Sequence, residues 1–278
     1  MIQLGKIQTL HIVKKVEFGV YLSDGSGEAG KVLLPQKQVP AYVQTGDEME
    51  VFVYRDSKDR LIATTHTPKL TLHDVARVQV AQVGKVGAFL DWGLEKDLLL
   101  PYKEQTRRVA QGEECLVALY IDKSDRLCAT MNVYPYLSAD SPYKAEDRVS
   151  GTVYEISDNF GAFVAVDDKY SGLIPKKELY GTVQIGDVVQ ARVTAVKEDG
   201  KLNLSIREKA YIQIDADAQK VMDIIYSFDG VLPFTDKASP EVIKRETQMS
   251  KNEFKRAVGR LLKEGKIQIT ERAIRAID

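Results

Sequence analysis

The stretch DSKDRLIAT, Asp56 to Thr64, returns 66 residues later as DKSDRLCAT, Asp122 to Thr130, and a looser version, KEDGKLNLS, runs from Lys197 to Ser205. The repetition reaches upstream. An aromatic-rich stretch surrounds Gly19 (EFGVYL), Gly87 (KVGAFL) and Gly161 (NFGAFV), and each is followed by an apolar pair ending in Pro35, Pro101 or Pro175. From glycine to proline the interval is 16, 14 and 14 residues, and from proline to the next glycine (Gly46, Gly112, Gly186) it is 11 in all three. A fixed internal period constrains the fold more than local propensity does. Short runs of Val, Ile, Phe and Tyr punctuated by turn residues predict antiparallel barrels. Each unit is long enough to close its own core, which excludes a solenoid.

After Ala210 the pattern changes from period two to helical. Val221, Met222, Ile224, Ile225 and Phe228 form one apolar face of a helix expected to begin near Asp215. Ser239-Pro240-Glu241 opens a second helix, with proline at the position where a missing N–H is harmless. Ser250 and Glu253 form a capping box for a third, whose stripe is Phe254, Ala257, Val258, Leu261 and Leu262; Gly265 ends it. KIQIT and RAIRAI then pair as a wing. Three helices and a hairpin predict a winged helix-turn-helix.

Total charge is silent on partners: 39 basic residues stand against 40 acidic ones. Its distribution is not. From Asp215 to Glu241 there are two basic and six acidic residues, and from Lys244 to Arg275 ten basic and four acidic. The longest apolar run, Cys115 to Ile121, is too short to span a bilayer, and MIQLGKIQTL does not read as a signal peptide. A hairpin turn at Asp122–Asp125 sets Leu119 opposite Cys128 and leaves Cys115 four residues further along, an offset unsuited to a disulfide. A reducing, cytoplasmic compartment is expected.

The order FGAFV, GLIP, IGD and EDGKLNLSIRE resembles the S1 RNA-binding domain, a five-stranded oligonucleotide-binding barrel. The third copy is the best match, although proline stands in all three where that module often has histidine. Three such barrels with a winged helix behind them resemble the bacterial conserved virulence factor B family. The stretches Asp236-Lys237, Ser239-Pro240-Glu241, Met249-Ser250-Lys251 and Leu261 to Gly265 resemble its C-terminal domain. The expected fold is therefore multidomain and mainly β: OB-type barrels at 1–68, 69–134 and 144–210, then an α+β winged-helix domain at 214–278. Residues 132–147 lack any period and are expected to be a linker or surface connection. The resemblance implies a post-transcriptional regulator of virulence genes.

Bases of single-stranded RNA stack on aromatic faces, which makes Phe160 and Phe163 the leading binding candidates. Side chains at i and i+3 of a regular strand point to opposite faces, so both reach one surface only if the strand bulges or kinks at Gly161. Phe18 and Tyr21 repeat the pair. Copy two keeps Phe89 but has Val86 in place of the first ring, and its nearby Trp92 reads as a packing residue. Asp56/Arg60 and Asp122/Arg126 resemble the polar rim of the S1 RNA face, and read somewhat better as ordinary tight turns. Copy three offers Lys197 and Lys201 there. On the third helix Asn252, Arg256, Arg260 and Lys263 lie opposite the stripe, with Lys251 and Lys255 on its flanks, a face able to dock on phosphates.

Gly25 to Gly30 matches a dinucleotide pattern, but KVLLP, an extended segment, follows where a helix is required. No catalytic cluster and no metal-ligand spacing among His11, His66, His73 and the cysteines is recognisable. The expectation is a non-enzymatic protein without cofactor or metal. Its expected partner is RNA, single-stranded by preference, with DNA or a protein assembly as alternatives and no membrane.

Overall fold

The computed structural model describes residues 1–25, 30–179, 183–206 and 210–277. It divides into two compact units, Met1–Ile206 and Arg207–Asp278. Most of the Gly25–Gly30 stretch lies outside the described residues.

The first unit holds three five-stranded sheets on one plan. The strands are β1 Ile7–Val16, β2 Gly19–Ser23, β3 Lys31–Pro35, β4 Glu48–Arg55 and β5 Leu61–Thr64. The second set is β6 Val75–Val83, β7 Gly87–Asp91, β8 Leu98–Pro101, β9 Glu114–Ile121 and β10 Leu127–Thr130. The third is β11 Arg148–Ser157, β12 Gly161–Val166, β13 Tyr170–Pro175, β14 Val188–Val196 and β15 Leu202–Ser205. Copies one and three close into barrels in the order β1-β2-β3-β5-β4 and β11-β12-β13-β15-β14. Parallel pairings, Leu33 with Ile62 and Gly172 with Leu202, make the closure. Copy two keeps the order β10-β9-β6-β7-β8 without that ladder.

The repeated hairpin is one turn built three times. The backbone N–H of Asp56, Asp122 and Lys197 donates to the carbonyl of Arg60, Arg126 and Lys201 respectively. The residue before the closing one adopts positive φ: Asp59 at 65°, Asp125 at 55°, Gly200 at 80°. Aspartate and glycine tolerate this left-handed conformation, and such a residue lengthens the loop to three. The register consequently differs by one from the expected pairing: Cys128 faces Tyr120, not Leu119. Both thiols are free and buried. Burial pushes Cys115 up to about 12 and Cys128 up to about 11, so neither is a reactive thiolate.

The barrels pack on one another through the outer faces of their fourth strands. In β4 the inward residues Met49, Val51 and Val53 fill barrel one, while Phe52 and Tyr54 point out against Trp92. Their rings lie 5.7 and 6.5 Å from the Trp92 ring, each edge-on. Trp92 is a packing residue, its Nε1 donating to the Lys96 carbonyl at 2.6 Å. In β9 the outward Leu116 and Ala118 join Val133, Tyr154 and Ala165 in a cluster shared by barrels two and three. β14 has no such second apolar face: Gln190 and Thr194 are exposed. The segment 132–147 is thus more than a surface connection. Val133 is completely buried, and Tyr136 and Leu137 pack against the shared cluster.

In the second unit α1 is Ala210–Ser227, α2 Pro240–Thr247 and α3 Lys251–Lys263. Short strands β16 Val231–Leu232, β17 Ile267–Ile269 and β18 Ile274–Ala276 form a sheet ordered β16-β18-β17. The wing is present, with β16 as an added strand. Ser239 caps α2, and Ser250 and Glu253 make the reciprocal capping box of α3. Val221, Met222 and Ile225 meet Phe254, Ala257, Val258 and Leu261 in the core. Two expected core residues lie elsewhere. Leu262 is 48% exposed because the buried stripe is narrower than the apolar one, and Phe228 lies beyond the end of α1, in the turn it shares with Ile225.

Candidate nucleic-acid interface

In barrel three Phe160 is 64% exposed and Phe163 half-buried, their ring centres 6.4 Å apart and nearly edge-on. Both rings reach one surface, by a route other than the expected kink within the strand. Phe160 sits in the turn before β12, and the bulge is in the partner strand β11, between Val153 and Glu155. Gly161 makes the turn possible: a Cβ there would lie 2.1 Å from the Ile174 carbonyl oxygen. The same approach recurs at Gly19 and Gly87, 2.1 and 2.2 Å from the carbonyls of Leu34 and Leu100. This is why each copy carries glycine at this point.

Phe160, Phe163, Lys197 and Lys201 line one cleft of about 220 Å³, with Asp199, Leu173 and Tyr134. Lys201 Nζ donates to Asp199 Oδ2 at 2.8 Å. That bond, and then the Tyr134 hydroxyl, holds the ammonium above its ordinary value, so Lys201 remains a cation throughout the neutral range. Lys197 is exposed at the opposite end of the turn. Aromatic faces beside two cations suit stacked bases followed by phosphates.

Barrel one repeats the pair. Phe18 is 58% exposed, Tyr21 half-buried, and their rings are 6.5 Å apart at 85°. Barrel two differs. Phe89 and Arg126 line a cleft of about 480 Å³ whose other wall is the barrel-one hairpin, including Arg55, Lys58 and Asp59. Arg126 Nε and Nη2 donate to Asp59 Oδ2 at 3.0 and 2.6 Å. Arg55 Nε answers with a bond to the Asp125 carbonyl at 2.8 Å. Arg60 turns back on its own hairpin, giving Asp56 Oδ2 two hydrogen bonds at 2.9 and 2.7 Å. Burial disfavours the charge on Asp56, but bonds from Arg60 and from the Lys58 amide outweigh it and hold the carboxyl below its ordinary value. Both rim arginines are therefore engaged by carboxylates.

On α3, Asn252, Lys255, Arg256, Arg260 and Lys263 are exposed and Lys251 half-buried. Among the described residues no ion pair engages Lys255, Arg256 or Lys263, whereas Arg260 Nε lies 3.1 Å from Asp215 Oδ1 and 2.7 Å from Glu264 Oε1. Tyr134 lines the barrel-three cleft and is missed by sequence reasoning, because it lies in the aperiodic segment. Its signal is composition: three aromatic or aliphatic residues, Val133, Tyr134 and Tyr136, around Pro135.

Comparison with known proteins agrees with this architecture. The S1 domain profile matches residues 4–66 and 74–132, the profile of the second domain of virulence regulatory factor CvfB matches 137–208, and that of the CvfB-like winged helix domain matches 219–275. The fold and its exposed faces define a class: tandem S1-type barrels followed by a winged helix. The chain is 31% identical to the uncharacterized protein YitL of Bacillus subtilis (strain 168), across 95% of this chain and 90% of that one. It is 30% identical to conserved virulence factor B of Staphylococcus saprophyticus, across 97% and 95%. The chain belongs to the conserved virulence factor B family. A multidomain protein with nucleic acid binding domains from Streptococcus pneumoniae TIGR4 is similar in three dimensions, with a TM-score of 0.50 at 25% identity, across 99% of this chain and 98% of that one.

Proposed function

We propose that this protein is a non-enzymatic RNA-binding regulator that acts after transcription, in the cytoplasm of a bacterium, on genes that include virulence factors. Single-stranded RNA is held by the Phe160/Phe163 platform of barrel three, with phosphates met by Lys197 and Lys201, and the basic face of α3 adds affinity. The observation that carries this reading is the exposed Phe160 and half-buried Phe163 with both lysines in one cleft. The winged-helix relatives and the nucleic-acid-binding neighbour from Streptococcus pneumoniae support it. The two free cysteines accord with a reducing compartment, and no described helix is long and apolar enough to cross a membrane.

A second reading rests on α3 by itself. Exposed Lys255, Arg256 and Lys263 on a capped helix form a face that suits the backbone of duplex DNA. Titration of single-stranded RNA and of duplex DNA over a salt series separates the two. Tighter RNA binding, abolished by loss of the phenylalanines, supports the first reading. Preference for the duplex supports the second, and binding of neither at low salt points to a protein adaptor instead.

A further inference from the structure

The segment joining barrels two and three is anchored on both sides of Tyr134. Upstream, Val133 is fully buried; downstream, Tyr136 and Leu137 pack into the shared cluster. Between them a single helical turn, Tyr134–Tyr136, leaves Tyr134 48% exposed. Further on, the Ser138 N–H donates to the Lys169 carbonyl at 2.8 Å, and the Ser171 N–H donates to the Ser138 carbonyl at 2.9 Å. Gly200, in the barrel-three hairpin, passes so near that a Cβ there would lie 2.2 Å from the Ala139 carbonyl oxygen. An exposed ring is thus held by a fixed backbone.

That ring lines the cleft of Phe160 and Phe163. Lys201 Nζ lies 5.8 Å from its centre, within cation–π range. A backbone ordered before the ligand arrives costs little further entropy on binding. We propose that Tyr134 is a third base-stacking ring of the barrel-three site, so that a nucleobase of single-stranded RNA seated in the cleft contacts the connecting segment as well as the barrel's own pair. This rests on the reading of barrel three as an RNA site. It makes the site a product of the junction between two barrels.

The test uses full-length Tyr134→Ala, Tyr134→Leu, Tyr134→Phe and Phe160→Ala proteins with a fluorescent single-stranded oligoadenylate. Leucine keeps apolar bulk without a stacking face; phenylalanine keeps the face. The Ala and Leu variants are expected to bind about tenfold more weakly with an unchanged salt slope, and the Phe variant to bind as the wild type does. Should the Ala variant unfold, the Leu and Phe pair carries the comparison. Wild-type affinity in the Leu variant, with weak binding by Phe160→Ala, would overturn the role of Tyr134 and leave the RNA site standing. Wild-type affinity in Phe160→Ala as well would remove the RNA reading itself. Equal losses in the Leu and Phe variants would also overturn the proposal, since the aromatic face would then be irrelevant.

Discussion

Barrels two and three follow one strand plan and use their outer faces in opposite ways. In barrel two the retained ring, Phe89, looks across a cleft at the hairpin of barrel one, and the rim arginine Arg126 is paired with Asp59 of that hairpin. In barrel three both rings are present, Phe160 stands out from the surface, and Lys197 and Lys201 flank it, Lys201 held by Asp199 of its own hairpin and not by a neighbouring barrel. A repeated motif therefore does not repeat its surroundings. The same hairpin that frames an open cleft in one copy docks one barrel on another in the next. What decides is the neighbour: Phe52 and Tyr54 on the outer face of β4 bring barrel one against Trp92.

The contrast between the two barrels is erased most severely by removing the rings. Phe160→Ala combined with Phe163→Ala is expected to weaken single-stranded RNA binding by more than about tenfold, since each stacked base contributes roughly 1–3 kcal/mol. The salt slope should hardly change, because stacking releases no counterions. Phe89→Ala in barrel two should leave the affinity close to wild type. Equal losses in the two barrels, read by fluorescence anisotropy, would abolish the distinction drawn between them.

The shared plan can be tested separately from the divergent faces. Gly161→Ala and Gly87→Ala each drive a Cβ into a carbonyl oxygen. Both should lower the unfolding free energy by roughly 1–3 kcal/mol, the order of cost of local backbone strain. Denaturant titration checks this, and indifference at either glycine would contradict a common structural reason for the repeat.

A smaller effect is expected from the winged helix. Replacing Lys255, Arg256 and Lys263 with glutamine keeps the stripe, the capping box and helix propensity. For every phosphate left unneutralised, the magnitude of the salt slope should fall by about 0.7–0.9, for all sequences alike. Arg260→Gln should do less, because Asp215 and Glu264 already engage that guanidinium. The smallest effect is expected where barrel one meets barrel two. Asp59→Asn removes an exposed ion pair with Arg126 and should leave the thermal midpoint nearly unchanged, as calorimetry would show.

Much of this is legible in the residues. The glycine–proline–glycine spacing defines three barrels, and the capping box with its i, i+3, i+4 stripe places α3. The docking of the barrels is also written there, in a form easily passed over. EVFVYRD and CLVALYI are apolar on both faces, which marks a strand buried on both sides, whereas VQARVTAV alternates. The hairpin register is not legible, since whether Asp125 takes positive φ or stays within the strand depends on closure of the ladder around it. Nor is Tyr134, because its partners come from strands far away in sequence and its segment carries no period. The ion pairs of Arg126 and Arg260 are hidden for the same reason: Asp59 and Asp215 become neighbours only after folding.

RNA is expected on barrel three and not on barrel two. The decisive experiment is photo-crosslinking of a single-stranded RNA carrying a photoreactive base to the intact protein, with the adducts mapped by mass spectrometry. Adducts at Phe160 and Phe163, and in the peptide spanning Lys197 to Lys201, are the predicted result. Adducts concentrated on the peptide containing Phe89 and Trp92, with barrel three unmodified, would contradict it.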